Sequence, residues 1–302
     1  MVAVHSCISF ESAANLGSEP LQPERAIPPR WLHEGPGASK LGETHGSEAM
    51  TYCIGYRLEQ GLVLASDART SAGVDYISSY SKMHVFQPGP DRLFVLLAAG
   101  SLATTQAVVS WIRRDLDRPA DLETGGLRDL RHCDYLFEAA AYVGRVSLAV
   151  QRENGEALQQ AGISAAATFI LGGQIGSEPH GLFLIYPQGN AIMATRDTPF
   201  LQIGESKYGK PPLDNVGHAH LSLEDAARLC LISEVITHRS NLTVGPPFEL
   251  AVIPAGQHAI SQHLRIDAQD PILDSMIDIW SAAQREALYR LPCLPWERSE
   301  DN

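Results

Sequence analysis

At Thr51 the chain changes character, and the thirty-odd residues that follow constrain the fold more than any other stretch. Thr51 opens a strand-like run, Tyr52 to Leu58; Glu59-Gln60-Gly61 supplies a turn, and the apolar run Leu62–Ala65 follows. This reads as a β-hairpin with threonine at its head. Asp67 and Arg69 stand just beyond the second strand, and Lys82 comes after a turn at Ala72-Gly73-Val74 and another strand-like run.

A threonine, an aspartate and a lysine so placed suggest nucleophilic chemistry. A threonine hydroxyl is a poor nucleophile until a base takes its proton, and the α-amine of an N-terminal threonine, with an ordinary pKa of about 7.7–8.0, can do so. That requires Thr51 to be residue one of the mature chain. Lys82 would then place a cation near the hydroxyl, and Asp67 would hold the ammonium by a charge-assisted hydrogen bond. Singly, each residue type is more often a solvated or strand-edge side chain. Met50 is what sharpens the reading, because only five methionines occur in 302 residues and one stands directly before the candidate nucleophile.

The segments Met50-Thr51-Tyr52-Cys53-Ile54-Gly55, Gly61 to Thr70, Ala72-Gly73-Val74-Asp75 and Ser81-Lys82-Met83-His84-Val85-Phe86 closely resemble the Anbu family of bacterial proteasome-type peptidases, relatives of the proteasome β subunit. The resemblance runs from Met50 to about Leu291. It implies a four-layer αββα fold of α+β class, the N-terminal-nucleophile hydrolase fold, with Thr51 as nucleophile and Asp67 and Lys82 as its partners. It also implies a homo-oligomer acting on peptides or unfolded protein, without a cofactor. A partner ATPase, the subunit number and the natural substrate are not readable from the sequence.

Residues 1–49 are of another kind. Five prolines (Pro20, Pro23, Pro28, Pro29 and Pro36), with glycine, serine and unpatterned apolar residues, give too little to bury against the entropy of ordering, so a disordered extension is expected. Three origins stay open: a pro-segment that the enzyme removes, a genuine extension that blocks the amine, or a start codon called too early. Ala49-Met50 fits the last best, since family members of this kind begin at Met-Thr. No apolar core follows a basic start, and no apolar run is long enough to span a membrane.

A net charge of −12 offers no general basic surface for nucleic acid, and the five cysteines (Cys7, Cys53, Cys133, Cys230 and Cys293) lack metal spacing. Reduced thiols and a cytoplasmic location are therefore expected. The eleven histidines show no convincing metal grouping, so no metal is expected. No linker divides residues 51–290, which reads as one peptidase domain over 51–291 with a C-terminal tail over 292–302.

Further along, Arg92–Ala98 reads as a strand buried on both faces, followed by Ala99-Gly100-Ser101 and a helix over Leu102–Arg118 that Pro119 stops. Gly100 either makes the turn or presents its backbone N–H to a developing oxyanion; the resemblance favours the oxyanion hole. A second helix is expected over Cys133–Gln151, then strands over Ala165–Gly172, Leu182–Tyr186 and Ala191–Thr195. Gly204 to Gly209 matches the family's glycine-serine loop, making Ser206 a candidate to hydrogen-bond the Thr51 amine, with a helix N-cap as the alternative. Ser222-Leu223-Glu224-Asp225 opens a helix to His238 with a capping-box pattern. The loop from Arg239 to Gly245 lacks the Asp that proteasome β subunits carry there, leaving Asn241 or Ser240 as substitutes. Closing strands over Phe248–Ile253 and His263–Ile266 precede a helix from Pro271 to about Arg290, whose apolar stripe serves either the core or a neighbouring protomer.

The leading functional expectation is a threonine peptidase forming an acyl-enzyme. The alternatives are an amidohydrolase of a small amide on the same fold and a catalytically silent assembly protein.

Overall fold

The computed structural model describes residues 51–71, 77–117 and 129–297. The expected disorder of residues 1–49, the turn around Gly73, the stop at Pro119 and the end of the C-terminal tail lie outside the described residues.

The first half of the chain alternates strands that hairpin directly onto one another: β1 (Tyr52–Leu58), β2 (Gly61–Asp67), the short ribbon β3 (Arg69–Ser71) and β4 (Ile77–Ser79), then β5 (Met83–Gly89) and β6 (Arg92–Gly100). Helices α1 (Leu102–Asp117) and α2 (Leu136–Gln160) follow, then β7 (Ala167–Ile175), β8 (Gly181–Ile185), β9 (Ala191–Met193) and β10 (Phe200–Gly204). The remainder is α3 (Ser206–Val216), α4 (Leu223–Ser240), β11 (Phe248–Pro254), β12 (Gln262–Ile266) and α5 (Pro271–Tyr289).

Two antiparallel five-stranded sheets result, in the orders β10-β1-β2-β11-β12 and β5-β6-β7-β8-β9. Strand alternation sorts the side chains into three buried layers. Tyr52, Ile54 and Tyr56 of β1 pack with Ala226, Leu229 and Ile232 of α4, and Phe94, Leu96 and Ala98 of β6 pack with the apolar sides of α1 and α2. The opposite faces, Cys53, Leu62 and Leu64 against Leu93, Val95 and Leu97, form the layer between the sheets. Each central strand is therefore apolar on both faces, which is why Arg92–Ala98 reads as an unbroken run rather than an alternating one. The order helix, sheet, sheet, helix is the αββα arrangement of the α+β class expected from the resemblance. Gly55 serves this stacking, since a Cβ there would press on the Leu182 side chain of the facing sheet.

Besides shifts of one to three residues at element ends, three differences from expectation stand out. α2 runs nine residues past Gln151 to Gln160, because helix formers such as Glu156, Ala157 and Leu158 continue it on an exposed course where no apolar stripe betrays it. β7 extends to Ile175, where the sequence pattern ended at Gly172; Gly173 carries no side chain to mark the strand because a Cβ there would overlap the Leu93 carbonyl of β6. The stretch Gly204 to Gly209, read as a glycine-serine loop or a helix N-cap, ends β10 and opens helix α3, which runs to Val216 with Pro211 and Pro212 inside it. The N-cap of α4 agrees with expectation: the Ser222 hydroxyl accepts from the Asp225 amide at 3.0 Å.

Contacts group residues 51–281 into one compact unit; the stretch 282–297 belongs to a second, in which Leu288, Tyr289, Leu291 and Trp296 are exposed. Cys53, Cys133 and Cys230 are buried free thiols. No described helix is long and apolar enough to cross a membrane.

Candidate active site

The β1–β2 hairpin sets the geometry. Its register pairs Cys53 with Ser66, so Asp67 falls opposite Tyr52, one residue from Thr51. The Asp67 carboxylate therefore reaches across the head of β1. Its Oδ1 accepts from the Thr51 hydroxyl at 2.6 Å and from the Tyr52 amide at 3.1 Å.

Lys82 enters from the segment joining β4 to β5. Its Nζ donates to the same Asp67 Oδ1 at 2.5 Å and to the Arg69 carbonyl at 2.6 Å. Backbone pairing fixes where the lysine starts, since the Ala98 amide of β6 donates to the Lys82 carbonyl at 3.0 Å. The second carboxylate oxygen, Oδ2, accepts from the Gly245 amide at 3.1 Å. Asp67 is fully buried and Lys82 nearly so. Removing two ions from water costs several kcal/mol each, and only close pairing with full hydrogen bonding offsets that. Here one carboxylate collects four donors from three parts of the chain.

The loop after α4 contributes through its backbone, a role the sequence did not reveal. Gly245 donates to Asp67 and its carbonyl accepts from the Arg69 amide at 3.3 Å, while the Arg69 guanidinium donates to the Leu242 carbonyl at 2.8 Å. Asn241 is spent inside this loop, its Oδ1 accepting from the Thr243 amide at 3.0 Å and hydroxyl at 2.7 Å. Ser240 ends α4 and is exposed. Among the described residues neither side chain is hydrogen-bonded to Thr51.

On the other side of Thr51 lies β10, where Tyr52 pairs with Gly204. The Glu205 amide donates to the Thr51 carbonyl at 2.7 Å. Gly204 has φ +81°, and a Cβ there would overlap that carbonyl, so only glycine lets the strands close at this point. Ser206 is the first residue of α3 and makes no side-chain hydrogen bond among the described residues; the N-cap is Glu205, without a side-chain cap, rather than Ser206. The residue the structure brings to Thr51 is thus the neighbour of the one singled out.

Gly100 ends β6, two residues beyond Ala98, whose carbonyl lies 3.8 Å from the Cys53 sulfur. This places it at the Thr51 end of the facing sheet. Its φ is +103° and a Cβ would meet the Ala166 carbonyl of the neighbouring chain segment, so glycine has a packing reason here as well.

Two further ionisable groups border the site. Burial pushes the Cys53 thiol up, with the Lys82 charge as the largest opposing influence. Glu234 on α4 is completely buried, neither of its oxygens has a partner, and burial, reinforced by the charge of Asp67, holds its pKa well above the usual carboxylate range. Its neighbour Ser233 hydrogen-bonds the Tyr52 hydroxyl at 2.8 Å. No cluster of three or more His, Cys, Asp or Glu able to hold a metal occurs among the described residues.

Two stacked antiparallel sheets between helical layers, with a threonine at the head of a central strand, define the N-terminal-nucleophile hydrolase fold. Solved structures agree. The chain is 40% identical to an Anbu (Gly-1) mutant from Hyphomicrobium sp. strain MC1, with a TM-score of 0.73 over 81% of this chain and 99% of that one. It is 39% identical to Anbu (ancestral β subunit) from Yersinia bercovieri, TM-score 0.72, covering 81% and 98% of the two chains. It is also 39% identical to the Anbu complex from Pseudomonas aeruginosa, solved as a helical assembly, TM-score 0.73, covering 83% and 100%. The chain belongs to the Anbu family of proteasome-related proteins. No family model and no curated protein matches it.

Proposed function

We propose that this chain is an N-terminal threonine peptidase that hydrolyses peptide bonds through an acyl-enzyme, working as a homo-oligomer. The observation that carries the reading is the convergence of the Thr51 hydroxyl and the Lys82 ammonium on one buried carboxylate oxygen of Asp67, at 2.6 and 2.5 Å. With Thr51 as residue one, its amine takes the hydroxyl proton as Oγ1 attacks the peptide carbonyl. Lys82, held by Asp67 and the Arg69 carbonyl, supplies a fixed positive charge beside the forming alkoxide. The Gly100 N–H receives the oxyanion. The C–N bond breaks as the amine passes its proton to the leaving nitrogen, and water, deprotonated by the same amine, releases the acyl group and restores Oγ1–H. Exposed Ile279, Leu288, Tyr289 and Trp296 on and after α5 are suited to contacts between protomers.

The test uses protein whose first residue is verified as Thr51 by N-terminal sequencing. We expect turnover in a broad peptide library and covalent modification by an electrophilic peptide inhibitor, read by intact mass. Thr51→Ser keeps part of both; Thr51→Ala, or one uncleavable residue added before Thr51, abolishes them. Equal modification of the Thr51→Ala protein would place the nucleophile elsewhere. A verified Thr51 terminus that neither reacts nor cleaves any peptide would overturn the peptidase reading; hydrolysis of compact amides alone would turn it into the small-amide alternative, and no hydrolysis at all into an assembly protein.

A further inference from the structure

We infer that Glu205 is the anchor of the Thr51 α-ammonium, filling the place left by the missing acidic residue of the loop after α4. The inference rests on the N-terminal threonine reading but is tested separately from it. The β1–β10 ladder ends at the Tyr52–Gly204 pair, and just beyond it the Glu205 amide donates to the Thr51 carbonyl at 2.7 Å, which seats Glu205 against the head of β1. Gly204 at φ +81° turns the chain out of the strand there, and Glu205 begins the turn into α3 as its N-cap.

The Glu205 carboxylate is short of a hydrogen bond. Its Oε2 is buried and makes no hydrogen bond, although the side chain borders the surface at 14% exposure. Lys207 Nζ lies 3.4 Å away, but that side chain is 67% exposed, so this is a loose ionic contact in water rather than a hydrogen bond. A buried carboxylate oxygen without a donor is costly to leave so. Once Thr51 heads the chain, its nitrogen becomes an ammonium with three donors, in the residue whose carbonyl the Glu205 amide already binds. Asn241 and Ser240, the sequence's own substitutes, are respectively bonded within their loop and exposed at a helix end. Ser206 makes no bond among the described residues.

The consequence is electrostatic as well as geometric. A carboxylate beside the amine favours its charged form, so Glu205 raises the pH at which Thr51 becomes a competent base while fixing the direction of its lone pair. The other ionisable groups around the amine are Asp67 from β2, Lys82 ahead of β5, the Cys53 thiol on β1, Lys207 on α3 and the buried Glu234 on α4. None of these changes identity in a Glu205 variant.

The experiment titrates the Thr51 α-amine directly, so it succeeds or fails whether or not the protein hydrolyses anything. Protein with a verified Thr51 terminus is pulse-acetylated with acetic anhydride across pH, and the modified N-terminal peptide is quantified by mass. In Glu205→Gln the midpoint is expected to fall by about one pH unit. Glu205→Asp, which keeps the charge, should retain most of the parent value, and Lys207→Ala should leave the midpoint in place or raise it. An unchanged midpoint in folded Glu205→Gln, or a fall of the same size in Lys207→Ala, overturns the inference. If Glu205→Gln does not fold, the parent decides: an amine midpoint above about 8 supports the anchor, and one below the ordinary range of an α-amine overturns it. Where peptide turnover is measurable, the acidic limb of kcat/KM should shift with the same sign.

Discussion

Asp67 and Glu234 are both fully buried carboxyl groups in the same half of the molecule, and their environments are opposite. Asp67 at the end of β2 gathers four donors, one of them the Lys82 ammonium. Glu234 in the middle of α4 has no partner on either oxygen, and its pKa is pushed up by burial and then by Asp67 itself. The difference teaches how a low-dielectric interior sorts acids. A carboxylate that is matched can stay charged and hold other groups in place; one that is unmatched keeps its proton and acts as a neutral filler. Placing the charge at the strand end, where backbone amides and a lysine converge, leaves the helix position silent.

The largest expected effect breaks the matched side. Lys82→Ala leaves Asp67 buried without its cation, which should cost roughly 3–5 kcal/mol of stability by urea denaturation. If the folded variant also kept full peptide turnover, Lys82 would have no part in the chemistry.

Smaller, and of a different form, is the effect on the unmatched side. A group whose folded pKa is raised gives stability that is complete below its unfolded pKa, about 4.3, and lost progressively as pH rises from there through the folded value. The parent should therefore lose about 1.4 kcal/mol per pH unit through this one group over that window, relative to Glu234→Gln. Denaturation midpoints of the two proteins between pH 4 and 8 measure it. Parallel curves would mean that Glu234 is ionised in the folded protein, and the contrast with Asp67 would vanish.

Smallest is the scaffold that holds Glu234 in place. Ser222→Ala removes the α4 cap and should cost about 1 kcal/mol, uniformly across the same pH range. A pH-dependent loss would instead tie the helix end to the buried acid.

The site was legible in the sequence where chemistry is concentrated in side chains close along the chain. Thr51, Asp67 and Lys82 lie on one hairpin and the segment after it, and local strand pairing brings them together. Strand and helix existence was legible for the same reason: the apolar run of β6 and the stripe of α5 need only the period of the backbone. What was not legible lies in backbone groups and distant partners. Nothing in Gly245 announces an N–H for Asp67 across 178 residues. Nothing in Glu205 separates it from any surface glutamate until β10 is paired with β1. α3 was hidden by its two prolines, which speak against a helix when propensity is all there is to weigh.

The sequence by itself thus determined the hairpin headed by threonine and the charged pair set to meet it, because each follows from local periodicity and residue chemistry, while the αββα sandwich was what the family resemblance implied. Only the tertiary structure decided which backbone groups meet these side chains: the Gly245 amide at Asp67, the Arg69 carbonyl at Lys82 and the Glu205 amide at Thr51. Their roles come from where remote backbone lands when the sheets and α4 pack, and a backbone amide is the same at every residue until packing gives it a direction.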